Sequence, residues 1–153
     1  MIQRIDGTPD YIDIIDLLRA EWPPEFGAST TETIIAHYRE HHNERTDTVK
    51  YLIEKGHIIG FYRYTLWPRD EPSANTAHTL DLAILPSHQK KGLGTLLMKD
   101  LIRDCGERGI IRLLSRSYKT NAASIGLHQS LGFSMHRETT DSIVWELNIA
   151  AKQ

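Results

Sequence analysis

One cysteine, Cys105, in 153 residues rules out an internal disulfide. The opening Met1-Ile2-Gln3-Arg4-Ile5-Asp6 lacks the apolar core of a secretory leader, so a reducing, cytoplasmic setting is expected. No stretch approaches the roughly 18 consecutive apolar residues of a membrane helix, and no membrane partner is expected. Charge of either sign is not in excess. Eighteen Lys and Arg stand against 20 Asp and Glu, a formal net charge of -2, which leaves no basic field for nucleic acid. Repeats, low-complexity tracts and linker composition are also missing, so residues 1–153 are expected to form a single domain. The 40% hydrophobic and 25% charged fractions are those of a chain that folds.

Hydrophobic spacing then supplies the elements. Met1–Asp6 suits a strand. Tyr11, Ile14, Ile15 and Leu18 recur at helical spacing behind Thr8-Pro9-Asp10, until Pro23-Pro24 interrupts them. A second helix is expected over Thr31–Glu44. Thr48–Glu54 and His57–Trp67 flank Lys55-Gly56 as a hairpin, and Trp67–Asn75 reads as a loop. Thr76–Leu85 is a strand, Leu93–Arg108 a helix ended by Gly109, and Ile110–Ser115 a strand. Asn121–Leu131 is a helix closed by Gly132, and Phe133–Glu138 and Ser142–Asn148 are the final strands. A strand–helix–strand crossover between hairpins implies a mixed α/β sheet.

Two passages carry chemistry. The first is Leu80-Asp81-Leu82-Ala83-Ile84-Leu85-Pro86-Ser87-His88-Gln89-Lys90-Lys91-Gly92-Leu93-Gly94-Thr95, a strand, a loop and the start of a helix. Gln89-x-x-Gly92-x-Gly94 leaves backbone N–H groups open at the positive end of a helix dipole. Lys90 and Lys91 add charge, and Thr95 adds a hydroxyl; a diphosphate fits such a receptor. Neither a Walker loop nor a three-glycine dinucleotide fingerprint is present. The second passage is Asn121-Ala122-Ala123-Ser124-Ile125-Gly126-Leu127-His128-Gln129-Ser130-Leu131-Gly132-Phe133.

In this order the two passages resemble the GNAT superfamily of N-acetyltransferases, with segments like the phosphinothricin-type and ribosomal-protein-alanine-type enzymes. The resemblance implies a central splayed mixed sheet flanked by about four helices. It implies acetyl-CoA as co-substrate, direct acetyl transfer to a primary amine, and no metal. On it, the backbone of Leu82, Ala83 and Ile84 would pair with the pantetheine arm. The loop from Gln89 through Lys90, Lys91, Gly92, Leu93 and Gly94 would hold the pyrophosphate, and Asn121 would reach in from the far side. The Ile84 N–H would face the developing oxyanion.

His128 stands where many members of this family carry a tyrosine acid, and it is a candidate proton donor beside a packing role. Tyr118 is a second candidate acid. Asp81 is a candidate base, by alternation on the face opposite Leu80 and Leu82, and also suits a structural carboxylate; His78 is weaker. The glutamate that ribosomal-protein acetyltransferases carry five residues before the asparagine is Arg116 here, which cannot act as a base.

Trp22-Pro23-Pro24-Glu25-Phe26, with Tyr64 and Trp67, is a candidate acceptor wall, and Glu21 and Glu25 could attract a cationic amine. His37 and His41 are read as a solvated helix face, Cys105 as a packed small residue, and Asn121–Leu131 as no DNA-recognition helix. The acceptor class stays open between small-molecule and peptide amines. A non-catalytic acyl-CoA-binding domain is the alternative function, and a homodimer through the last strand is an open arrangement.

Overall fold

The computed structural model describes residues 1–149; residues 150–153 of the expected domain lie outside the described residues. Its elements run β1 (Ile2–Arg4), α1 (Ile15–Glu21), α2 (Thr31–His41), β2 (Asp47–Glu54), β3 (His57–Trp67) and β4 (Thr76–Ile84). They continue α3 (Leu93–Glu107), β5 (Arg112–Tyr118), α4 (Ala122–Ser130), β6 (Ser134–Glu138) and β7 (Ser142–Asn148). Order and type match the expectation from hydrophobic spacing. Lys55 and Gly56 adopt φ of 50° and 79°, the two left-handed positions of a primed hairpin turn.

Several boundaries moved. Asp10 caps Ile12, so the first helical stretch opens as a tight single turn over Tyr11–Ile14 before α1 begins. The second helix stops at His41 rather than Glu44, because the buried Asp47 carboxylate accepts from the Asn43 N–H at 3.0 Å and draws the chain into β2. The fifth strand runs Arg112–Tyr118 rather than Ile110–Ser115, since β7 pairs with it along its whole length. The last strand is not an edge. In the sheet order β1-β2-β3-β4-β5-β7-β6, β7 lies between two partners, and the edges are β1 and β6.

Among the described residues, only the β4–β5 pair is parallel. One apolar cluster, including Tyr62, Tyr64, Ala77, Leu97, Leu101, Leu113 and Trp145, fills the face covered by α3 and α4. A second, with Tyr11, Leu17, Leu18, Ile34, Tyr38 and Phe61, lies beneath α1 and α2 on the other face. Gly60 lets α3 approach β3 closely: a Cβ there would stand 2.7 Å from Ile84 Cδ1 and 3.3 Å from Leu97 Cδ1.

Ionic bonds fix α3 to the sheet. Lys50 Nζ lies 3.1 Å from both Asp100 and Asp104. The Tyr62 hydroxyl donates to Asp100 at 2.7 Å, and the Tyr64 hydroxyl donates to Asp104. Arg108 reaches Tyr64 at 2.8 Å and Thr48 at 2.7 Å. Burial alone would raise the Asp100 pKa, but Tyr62, Lys50 and Arg103 hold it below the ordinary carboxylate value. Asp100→Ala should therefore cost about 3 kcal/mol in urea unfolding, because Tyr62 and Lys50 lose a buried acceptor. A depressed folded pKa stabilises above about pH 4 and is lost as pH falls through that pKa. The variant should lose less stability on acidification than the wild type, and equal acid sensitivity would remove Asp100 from this role.

Candidate active site

The strands β4 and β5 separate almost as soon as they meet. They pair only where Thr76, Ala77 and His78 face Arg112, Leu113 and Leu114. Beyond that point β4 stays with β3, and β5 stays with β7. The parting coincides with an extra residue. Arg63 faces Asp81 and Tyr64 faces Thr79, so Leu80 has no partner on β3 and forms a bulge that bends β4. The expected alternation therefore holds between Asp81 and Leu82 but breaks at Leu80.

Backbone phase decides what the gap contains. The Leu85 N–H donates to the Ile59 carbonyl at 2.8 Å. Counting back in twos along the regular register, Ala83 and Asp81 turn their backbone groups toward β3, and Leu82 and Ile84 turn theirs into the gap. The Gln89 side-chain amide donates to the Ile84 carbonyl at 3.0 Å, which ties the loop to the strand end.

The loop then delivers donors to the same place. Lys90 and Gly92 have φ of 63° and 79°, and Gly92 precedes α3 with no side-chain cap. The first helical bond is Leu96 N–H to Gly92 at 3.1 Å, so the N–H groups of Leu93, Gly94 and Thr95 precede the helical ladder. A Cβ on Gly92 would meet nothing within 4 Å, and one on Gly94 only Leu127 at 3.9 Å. Protein packing does not require glycine at position 94. The space beside the start of α3 is open there, and Lys90 and Lys91 next to it are exposed.

Other sequence-predicted residues are placed differently from one another. The Asn121 side-chain oxygen caps α4 by accepting from the Ser124 N–H at 3.0 Å. Tyr118 is 43% exposed, with the Arg116 guanidinium 5.7 Å from its ring centre. Asp81 is held by Arg63, whose Nε lies 2.5 Å from Oδ2. His78 Nδ1 lies 2.8 Å from the Thr79 carbonyl oxygen. Cys105 is buried, which pushes its thiol up to about 12, as a packed residue requires. His41 Nδ1 bonds the His37 carbonyl, and no metal-holding group of three side chains occurs among the described residues.

His128 has no free nitrogen. Its Nδ1 lies 2.7 Å from the Ser124 carbonyl, which can only accept, so the proton sits on Nδ1. Its Nε2 accepts from the Ser115 hydroxyl at 2.7 Å. The ring stacks on Trp145 at 5.6 Å and meets Phe133 edge-on at 4.9 Å. Burial holds its pKa below the ordinary imidazole value. This geometry supports locking α4 to β5 and does not support proton donation.

Two residues are redefined in three dimensions: Arg63, which the sequence did not single out, and Glu21, already a candidate for attracting a cationic amine. Arg63 sits in an apolar run and is buried against Asp81. Glu21 reaches solvent at the end of α1, yet crowding by the protein, and then the charge of Asp81, lift its carboxyl to about 7. An acidic residue before Trp22-Pro23-Pro24 was the available signal for Glu21; none in the sequence marked its partner strand.

The acetyltransferase (GNAT) family model matches residues 11–133. The chain belongs to this family. A ribosomal protein bS18-alanine N-acetyltransferase of Salmonella typhimurium is 38% identical over 58 residues, 38% of this chain and 39% of that one. The L-amino acid N-acyltransferase MnaT of Escherichia coli is 35% identical over 85 residues, 52% of this chain and 46% of that one. The chain thus spans less than half the length of these curated relatives. A Salmonella typhimurium acetyltransferase solved with its cofactor acetyl-CoA superimposes with a TM-score of 0.75 at 23% identity, covering 97% of this chain and 93% of that one. That likeness establishes the GNAT fold, with its mixed, splayed sheet.

The His128 geometry makes a stability prediction. A neutral, buried imidazole has a folded pKa below its unfolded value of about 6.5. Its contribution is therefore complete above about pH 6.5 and declines as pH falls below it. His128→Ala should lower stability by about 3 kcal/mol at pH 7.5, from lost packing and an unpaired Ser115. It should also flatten the fall of Tm between pH 7 and 5. An unchanged Tm would show that the ring packs against nothing of consequence.

Proposed function

We propose that this chain is an acetyl-CoA-dependent N-acetyltransferase that moves the acetyl group directly to a primary amine. One observation carries the reading: unpaired backbone groups of β4 and uncapped N–H groups of α3 converge on one gap, beside two glycines that leave it open. Acetyl-CoA would supply the thioester. The N–H groups from Lys90 to Thr95, with the Lys90 and Lys91 side chains, hold its pyrophosphate, while the Gln89 N–H stays on the Pro86 carbonyl. Leu82 offers backbone pairing to its pantetheine arm, with Ala83 keeping the strand on β3 and the Ile84 carbonyl held by the Gln89 amide. The Ile84 N–H stands where negative charge develops on the carbonyl oxygen. The Asn121 amide and Tyr118 hydroxyl approach from the β5 side. Tyr118 is the remaining candidate acid, since both His128 nitrogens are engaged. The relatives named for ribosomal-protein and amino-acid acceptors support an amine as acceptor. Arg116 at the position of a glutamate base speaks against a protein N-terminus. A lone buried thiol suits a reducing compartment, and we place the protein in the cytoplasm.

The alternative, a domain that binds acyl-CoA without turnover, draws on the engaged His128. Calorimetry with acetyl-CoA, with ATP as control, tests what both readings share. Gly94→Asp should weaken acetyl-CoA at least about 100-fold, some 3 kcal/mol, while leaving the unfolding midpoint nearly unchanged, because the added carboxylate faces the pyrophosphate. Unaltered affinity in a folded variant would remove the loop from the site. Release of CoA thiol on adding amines separates the enzyme from the binding domain.

A further inference from the structure

The β5 side of the gap carries two arginines that acetyl-CoA binding leaves unused. Leu113, Ile143, Trp145 and Leu147 turn toward α3 and α4, so by alternation Leu114, Arg116, Val144 and Glu146 face the other way. Among the described residues no helix covers that face over β5, β7 and β6. Arg116 is the first residue on it beyond Leu114, where β4 and β5 part. It stands opposite Val144, and Arg137 of β6 stands opposite the same Val144 from the other side. A bulge puts Arg137 there. Met135 faces Trp145 and Arg137 faces Val144, so His136 is an extra residue, and without it Arg137 would turn to the α4 face. Val144 is only 6% exposed although it belongs to neither apolar cluster; the long arginine stems on either side of it account for that cover.

The carboxylates nearby are engaged elsewhere. Glu146 lies 2.7 Å from Arg112 and 3.2 Å from His136. Asp141 Oδ1 accepts from the hydroxyls of Thr139 at 3.2 Å and Ser142 at 3.1 Å. It stands 3.6 Å from Arg116, with both side chains more than half exposed, and a bridge of that kind contributes little. Arg137 is exposed, with no ion-pair partner among the described residues. Two guanidiniums in one row therefore face a single, loosely held carboxylate.

We propose that Arg116 and Arg137 hold a carboxylate of the acceptor, which makes the acceptor a small primary amine with an acid group close to its nitrogen. The inference rests on the acetyl-transfer reading above. On that reading the acetyl carbonyl lies in the gap. The root of the gap is floored by packed side chains on the α3–α4 face, so the amine arrives from the uncovered face. A bare ammonium meets a cation there and gains nothing from Asp81, which Arg63 neutralises. A carboxylate on the same molecule reverses the sign. Arginine suits it, because the planar fork donates two parallel N–H groups to one carboxylate. With the acid group held at the row, the amine is left free to reach into the gap.

The natural acceptor being unidentified, the probes are L-leucine, L-phenylalanine, L-glutamine and L-lysine, each measured against its own α-carboxamide by release of CoA thiol. The amine of the amide is the weaker base and is more often neutral, so chemistry without recognition favours the amide. The wild type should instead prefer the acids by about 30-fold in kcat/KM, as charge-assisted bonds to a carboxylate require. Arg116→Gln and Arg137→Gln should each cut the acid-to-amide ratio by about 20-fold, mainly through KM. Arg116→Lys should keep part of the ratio, and Arg116→Glu should invert it. Acetyl-CoA affinity by calorimetry should be the same in all of them. Amides used as well as acids by the wild type, an unchanged ratio in both glutamine variants, or acetyl-CoA binding with turnover of neither set would overturn this proposal while leaving acetyl-CoA binding intact. Failure of the wild type to bind acetyl-CoA would instead overturn the function on which it rests.

Discussion

Three residue pairs hold the parallel strands β4 and β5 together, and the site depends on their going no further. A backbone N–H or C=O inside a sheet demands a partner. Here Leu82 and Ile84 present such groups to a gap, with β5 directed elsewhere by its full ladder to β7. Closing the gap would need one strand to abandon an outer neighbour. The bulge at Leu80 bends β4 away at the right point, and α3, clamped by Asp100 and Asp104 to Lys50, Tyr62 and Tyr64, keeps its half of the sheet from following β5. The unmet backbone groups are thus a fixed feature of the fold, and an extended ligand arm can satisfy them.

Charge is sorted across the same gap. Lys90, Lys91 and the start of α3 make one side positive, while on the other side Asp81 and Arg63 neutralise each other. The nearly neutral total of the chain conceals this. On the proposed function, an anionic donor would be drawn to the side that carries Lys90, Lys91 and the start of α3.

Much of this was legible in sequence where the signal is local. Lys55-Gly56 specified its turn because two adjacent residues needed positive φ. Gln89-x-x-Gly92-x-Gly94 marked the anion loop because its glycines and helix start are contiguous. The bulge was not legible: Thr79-Leu80-Asp81-Leu82 reads as even alternation, and its register belongs to Arg63 and Tyr64 on another strand. His128 was ambiguous for the same reason. Its partners Ser115 and Trp145 come from β5 and β7, and helical spacing carries no information about which ring nitrogens they occupy. Asp81 gave no hint that an arginine eighteen residues earlier would claim it.

The two apolar clusters explain why access comes from one side. The cluster under α3 and α4 runs across the seam, joining Ala77 and Leu97 to Leu113 and Trp145, so on that face the root of the gap is floored by packed side chains. The cluster under α1 and α2 contains no residue of β5, β6 or β7. Among the described residues no helix covers the far half of the sheet on this face, and Arg116 and Tyr118 are exposed. A molecule approaching from the α1–α2 side therefore meets Glu21 and the Trp22–Phe26 wall on one flank, and bare sheet on the other. Helices on both faces would have sealed the gap, and none would have left β4 without a core. Covering one face fully and the other by half gives the strand both its packing and its opening.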